Sequence, residues 1–150
     1  MYTRDLTHKD HQEFYTLAYK SFVERNDITI DFDKARFNSI VKNTLVHESH
    51  KNVGLFDNDI LVGFAVIMLE KVPFSGEPIA VFDLVHTDVS HRTVDSYQLL
   101  MNAIFAITNN NKIKRIALNA KNILLEDDLK KILLQQNNFY QTSVNWEKTF

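Results

Sequence analysis

Cysteine is absent from this 150-residue chain, which excludes a disulfide framework, a thiolate nucleophile and a cysteine-ligated zinc site. Glycine is nearly as scarce. Gly54, Gly63 and Gly76 are the only three, where roughly 7% of residues is usual, so few loops can admit a ligand close to the backbone. No apolar run approaches the roughly 18 residues of a membrane-spanning helix, and Met1 to Asp10 is charged where a signal peptide would be apolar. Neither charge sign dominates: 17 basic and 19 acidic side chains leave a net −2. General attraction to nucleic acid or to an anionic membrane is therefore not expected. A Gly-x-Ser-x-Gly elbow is also missing, so a hydrolase triad has no support. These absences lead us to expect a cytoplasmic protein with no nucleic-acid or membrane partner.

What is present suits one domain. At 45% hydrophobic, a chain of this length buries a substantial single core. Tyr2 to Leu6 reads as a short strand, and Thr7 as a helix start. Phe14, Leu17, Ala18, Phe22 and Val23 then recur at three- and four-residue steps, predicting an amphipathic helix that ends near Asn26. Asp31 is the expected cap of a second helix carrying Ala35, Phe37, Ile40, Val41, Thr44 and Leu45.

The period then shortens. Val53 to Phe56 and Ile60 to Leu69 are β-rich runs around Asp57-Asn58-Asp59, a hairpin turn by composition. Ile79 to Val85 is a third run, preceded by the Pro73 to Pro78 break. Helical spacing returns from Asp95 to Thr108 and again from Leu125 to Gln136, with a short strand at Ile113 to Leu118 between them. Phe139 to Phe150, with Trp146, reads as a closing strand. Strand, two helices, three strands, helix, strand, helix, strand is an order that predicts an α/β (α+β) domain, a central mixed twisted sheet flanked by about four helices.

With this order, the chain resembles the GCN5-related N-acetyltransferase (GNAT) family over nearly its whole length. Three segments carry the resemblance: Asp59 to Ala65, Leu84 to Thr93 leading into Leu99-Leu100, and Asn137-Asn-Phe-Tyr140 before Trp146-Glu-Lys148. The resemblance implies acetyl-CoA or another acyl-CoA as cofactor and a small-molecule or protein amine as acceptor. It places the cofactor along Leu84 and Val85 and at the loop His91, Arg92, Thr93, Val94, Asp95 and Ser96. The family's loop reads Arg/Gln-x-x-Gly-x-Gly/Ala, whose glycines let backbone N–H groups converge on a pyrophosphate. Counting from Arg92, Asp95 and Tyr97 stand where those residues belong; counting from His91, Val94 and Ser96 do. Asp95 with Gln98 also reads as a variant capping box, which sets a carboxylate at the helix end meant for phosphate.

For catalysis the resemblance implies a base near the fourth strand, with Asp83 and His86 as candidates. Three positions apart in a regular strand, they are expected on opposite faces. The family's usual acid is a tyrosine on the last helix. Matching its closing Gly-Phe to Asn138-Phe139 sets Leu134 there, and a leucine donates no proton. Two readings follow: a divergent N-acyltransferase, or a catalytically lapsed member of the same fold that serves as a protein-binding, homo-oligomeric or assembly component, including a phage virion part. The histidine pairs His8/His11 and His47/His50 have helical spacing, but solvent-exposed residues are the simpler explanation.

Overall fold

The computed structural model describes residues 1–25, 33–119 and 123–140. Its elements are β1 (Tyr2–Asp5), α1 (His11–Arg25), α2 (Lys34–Val46), β2 (His50–Asp57), β3 (Ile60–Lys71), β4 (Pro78–Thr87), α3 (Val94–Asn110), β5 (Ile116–Ala117) and α4 (Asp127–Gln136). The expected closing strand lies almost wholly outside the described residues, as does Asp31. Within them, Asp33 is the N-cap of α2, its carboxylate accepting from the Arg36 N–H.

The strands form one mixed sheet in the order β1-β2-β3-β4-β5. The first four are antiparallel, and β5 runs parallel to β4. Asn58 and Asp59 both adopt positive φ, 47° and 64°, as a tight hairpin turn between β2 and β3 requires. Pro78, expected outside the strand, is the first residue of β4 opposite Lys71, a position where its missing N–H is tolerated. β3 is buried on both faces from Leu61 to Ile67, which explains its nearly continuous apolar sequence.

Two layers of helices cover the sheet. On one face, α3 and α4 supply Tyr97, Leu100, Ile104 and Leu133 to a core with Leu55, Ile67 and Phe82. On the other, α1 and α2 supply Phe14, Leu17, Ala18 and Val41 against Phe56, Phe64 and Val66. Phe14 meets Phe64 edge to face at 5.0 Å between centroids. Entry to α1 is fixed electrostatically. Thr7 accepts from the Lys9 N–H, while the Asp10 carboxylate accepts from the Thr7 N–H at 2.8 Å and pairs with Arg4 at 2.7 Å. Arg4 and these bonds hold the Asp10 carboxyl down to about 2.

Candidate active site

β4 is the organising element, because its two halves have different neighbours. Ala80 and Val81 pair with Ile116 and Ala117 of β5. Among the described residues, no strand pairs with Phe82–Thr87 on that side, and this half of β4 leads to the α3 N-terminus. A bulge lies where the halves meet: Val66 stands opposite Leu84 and Ile67 opposite Phe82, which makes Asp83 the extra residue.

The bulge overturns the expectation that Asp83 and His86 face opposite ways. Strict alternation holds only in an uninterrupted ladder. Here Asp83 and Leu84 border the same cavity beneath α1 and α2, and His86, two residues beyond Leu84, packs its ring against Phe64 on that face. Their environments differ. Asp83 is exposed, whereas His86 is fully buried, and neither of its ring nitrogens has a hydrogen-bond partner among the described residues. Burial, reinforced by Arg92 and Arg25, pushes the imidazole down to about 4. It is neutral at pH 7 and a weak base.

The loop after β4 is held by side chains in place of glycines. His91 joins the Ser90 hydroxyl, 2.9 Å from Nδ1, to the Asp57 carboxylate, 3.2 Å from Nε2, and so ties the loop to the β2–β3 hairpin. Thr93 is the N-cap of α3, accepting from the Ser96 N–H at 3.1 Å, and its carbonyl receives the Tyr97 N–H. This corrects the capping box expected from Asp95 and Gln98. Asp95 lies within the first turn and is exposed, while Gln98 exchanges two hydrogen bonds with Asn137 of α4. The helix start leaves the N–H groups of Val94 and Asp95 as its outward donors. Ser96 is buried against Thr93, and Tyr97 is core.

A second carboxylate at this end of the site comes from α1. Arg92 donates from Nε to the Thr87 carbonyl at 3.0 Å, and its Nη2 is ion-paired with Glu24 at the end of α1. The next residue, Arg25, donates to the Val85 carbonyl on the open half of β4. Its burial depresses the guanidinium pKa. Sequence reasoning missed Glu24, Arg25 and the buried Ser21. A signal was available: Leu17, Ser21 and Arg25 continue the apolar stripe of α1 at four-residue steps, which turns two polar side chains toward the sheet.

Open β4 residues, the Val94 and Asp95 N–H groups and the Arg92 guanidinium together suit an extended ligand with an anionic end. Acyl-CoA fits that description, with Glu24 displaced from Arg92. After α4, Asn138 adopts φ 59°, the left-handed geometry that glycine fills elsewhere and asparagine tolerates. Leu134 packs against the α3/α4 core, and Tyr140 is exposed. The histidine pairs form no metal cluster among the described residues. His47 and His50 both lie beside the Ser49 hydroxyl, and His11 is half-buried near Tyr15, so exposure does not describe all four. No helix among the described residues is long and apolar enough to cross a membrane.

Solved structures share this fold. A ribosomal-protein-alanine N-acetyltransferase from Brucella melitensis biovar Abortus superposes with a TM-score of 0.73 at 17% identity, covering 100% of both chains. This chain has the GNAT fold. A predicted acetyltransferase from Clostridium acetobutylicum, solved with acetyl-CoA, gives 0.75 at 14% identity over 98% of this chain and 94% of its own. An aminoglycoside 6'-N-acetyltransferase from Acinetobacter haemolyticus gives 0.72 at 11% identity over 100% of this chain and 99% of its own. By sequence, no family model and no curated protein matches the chain.

Proposed function

We propose that this GNAT-fold protein transfers an acyl group from an acyl-CoA to an amine. The observation carrying the reading is the open half of β4 leading directly into the Thr93-capped start of α3, with Arg92 beside it. Leu84 and Val85 would align the extended part of the cofactor through their backbone groups. The Val94 and Asp95 N–H groups and Arg92 would hold its pyrophosphate. The cofactor supplies the activated acyl carbon as a thioester. Asp83, at the bulge, would receive the proton that the amine loses, directly or through water. His86 fixes the strand beside it and, being buried and neutral, is a positioning residue in this scheme. With Leu134 in place of an acid, the departing thiolate takes its proton from solvent. A soluble amine acceptor and a cytoplasmic setting complete the reading.

Calorimetric titration with acetyl-CoA tests it. Saturable binding that Arg92→Glu abolishes is expected, together with acyl transfer that Asp83→Asn reduces by about 100-fold, within the usual range for losing a general base. A flat titration at millimolar acetyl-CoA and longer acyl-CoAs overturns it. That outcome favours the second reading, a lapsed enzyme that binds a protein partner. Its specific support is the occupation of Arg92 by Glu24 and of the Val85 carbonyl by Arg25, together with Leu134.

A further inference from the structure

A cavity of about 290 Å³ lies at the C-terminal end of α3, away from the acyl-transfer site. β1 ends at Asp5, and just beyond it the Leu6 N–H donates to the Asn52 carbonyl at 2.9 Å. The first two residues of β2, His50 and Lys51, therefore have no partner on β1. The cavity borders that gap, with Asn110 and Asn111 at its α3 side and Leu6, Leu45 and Ile107 as apolar walls. Its polar wall contains opposite charges that are not joined. Asp5 stands opposite Val53, and Lys51 lies two residues before Val53, so strand alternation sets both on the α3 side of the sheet. Diagonal neighbours of this kind are roughly 7 to 8 Å apart, and among the described residues neither Asp5 nor Lys51 enters an ion pair. Asn52, only 7% exposed, donates from Nδ2 to the Thr44 carbonyl at 2.7 Å, while its Oδ1 has no hydrogen-bond partner among the described residues.

We infer that this cavity binds a free α-amino acid with an aliphatic side chain, its ammonium toward Asp5 and the Asn52 amide oxygen, its carboxylate toward Lys51. A zwitterion is specified because a ligand of one charge answers only one of the two unpaired residues, whereas an amino acid spans the diagonal with an opposite charge at each end. The ammonium belongs on the Asp5 side for two further reasons. The C-terminal end of α3 is the negative end of the helix dipole, and a buried acceptor without a partner carries a desolvation cost that a ligand donor removes. Leu6, Leu45 and Ile107 set the aliphatic side chain. Size agrees, since a dry cavity of about 150 Å³ takes up benzene and this one is nearly twice as large. The inference does not depend on the acyl-transfer reading: α3, with 17 residues and so roughly 25 Å long, runs between this cavity and the Val94 and Asp95 N–H groups.

Titrations of the full chain, followed by amide NMR, test the cavity without any cofactor. The probes are L-leucine, isopentylamine, which lacks its carboxylate, and isocaproate, which lacks its ammonium. L-leucine is expected to saturate with shifts centred on Leu6, Lys51, Asn52 and Asn111. Each analogue should bind about 10- to 150-fold more weakly, the span of one hydrogen bond to a charged group. Asp5→Asn should weaken L-leucine and isopentylamine but not isocaproate, and Lys51→Gln should weaken L-leucine and isocaproate but not isopentylamine, with the unfolding midpoint unchanged in both variants. Where an analogue binds too weakly to measure, the L-leucine affinities of the two variants decide. No saturation by L-leucine, equal binding of either analogue, or an L-leucine affinity that either substitution leaves unchanged overturns the inference. Shifts confined to β4 and the first turn of α3 also overturn it, because they place the amino acid in the acyl-transfer site.

Discussion

The two faces of the sheet are packed for different purposes. Under α3 and α4, large side chains such as Tyr97, Leu100, Ile104 and Leu133 are fully buried, and a Gln98–Asn137 amide pair ties the helices together. Under α1 and α2, a smaller core borders a cavity, and Ser21, His86 and Arg25 are polar groups placed where carbon would be more stable. Unsatisfied or desolvated polar groups lower stability. The α3/α4 layer is therefore the more uniformly apolar of the two.

Truncations on the two faces, compared per carbon removed, test that division most directly. Leu133→Ala should cost about 3 to 4 kcal/mol in urea unfolding, as a tightly packed leucine does, against about 1 to 2 kcal/mol for Val41→Ala, which enlarges an existing cavity. Equal losses would remove the contrast.

Acid should weaken the α1/α2 side in two successive windows. His86 has a folded pKa of about 4, below the 6.5 of the free side chain, so the unfolded chain protonates first. Its contribution is complete above pH 6.5 and is lost as pH falls toward 4, on the order of 2 to 3 kcal/mol. A His86→Leu variant should show a flatter stability profile through that window.

Asp10 follows at lower pH. Its carboxyl titrates near 2 in the folded protein against 3.8 when free, so its stabilisation is present above about 3.8 and disappears as pH falls to 2. Asp10→Ala at neutral pH should cost about 2 kcal/mol through the lost Arg4 pair and Thr7 bonds, measured by denaturant titration. The smallest effect belongs to Glu24→Gln. By releasing Arg92, it should tighten acetyl-CoA binding by up to about fivefold, the range of a partly exposed ion pair, with little change in stability. Weaker binding would mean that Glu24 supports the site instead of competing for it.

Much of this molecule was legible from local pattern. The apolar periods located every described α-helix and strand to within a few residues, and Asp57-Asn58-Asp59 made the turn its composition implies. Errors arose where one residue of backbone geometry changed the meaning of a pattern. Thr93, two positions before Asp95, takes the cap of α3, Asp95 stays in its first turn, and Glu24 brings a second carboxylate to Arg92. The bulge at Asp83 reverses a face assignment based on regular alternation.

The amino-acid order by itself determined the sequence of elements, their amphipathic sides, a loop after β4 without glycine and a leucine at position 134, because each is encoded over a few consecutive residues. Only the tertiary structure decided that Glu24 meets Arg92 across 68 positions, that Arg25 reaches the Val85 carbonyl, and that Ser21 and Asp83 share a cavity. Those pairings depend on how α1 lies across β4. That placement is set by the summed packing of the whole sheet, to which no short stretch of sequence contributes more than a part.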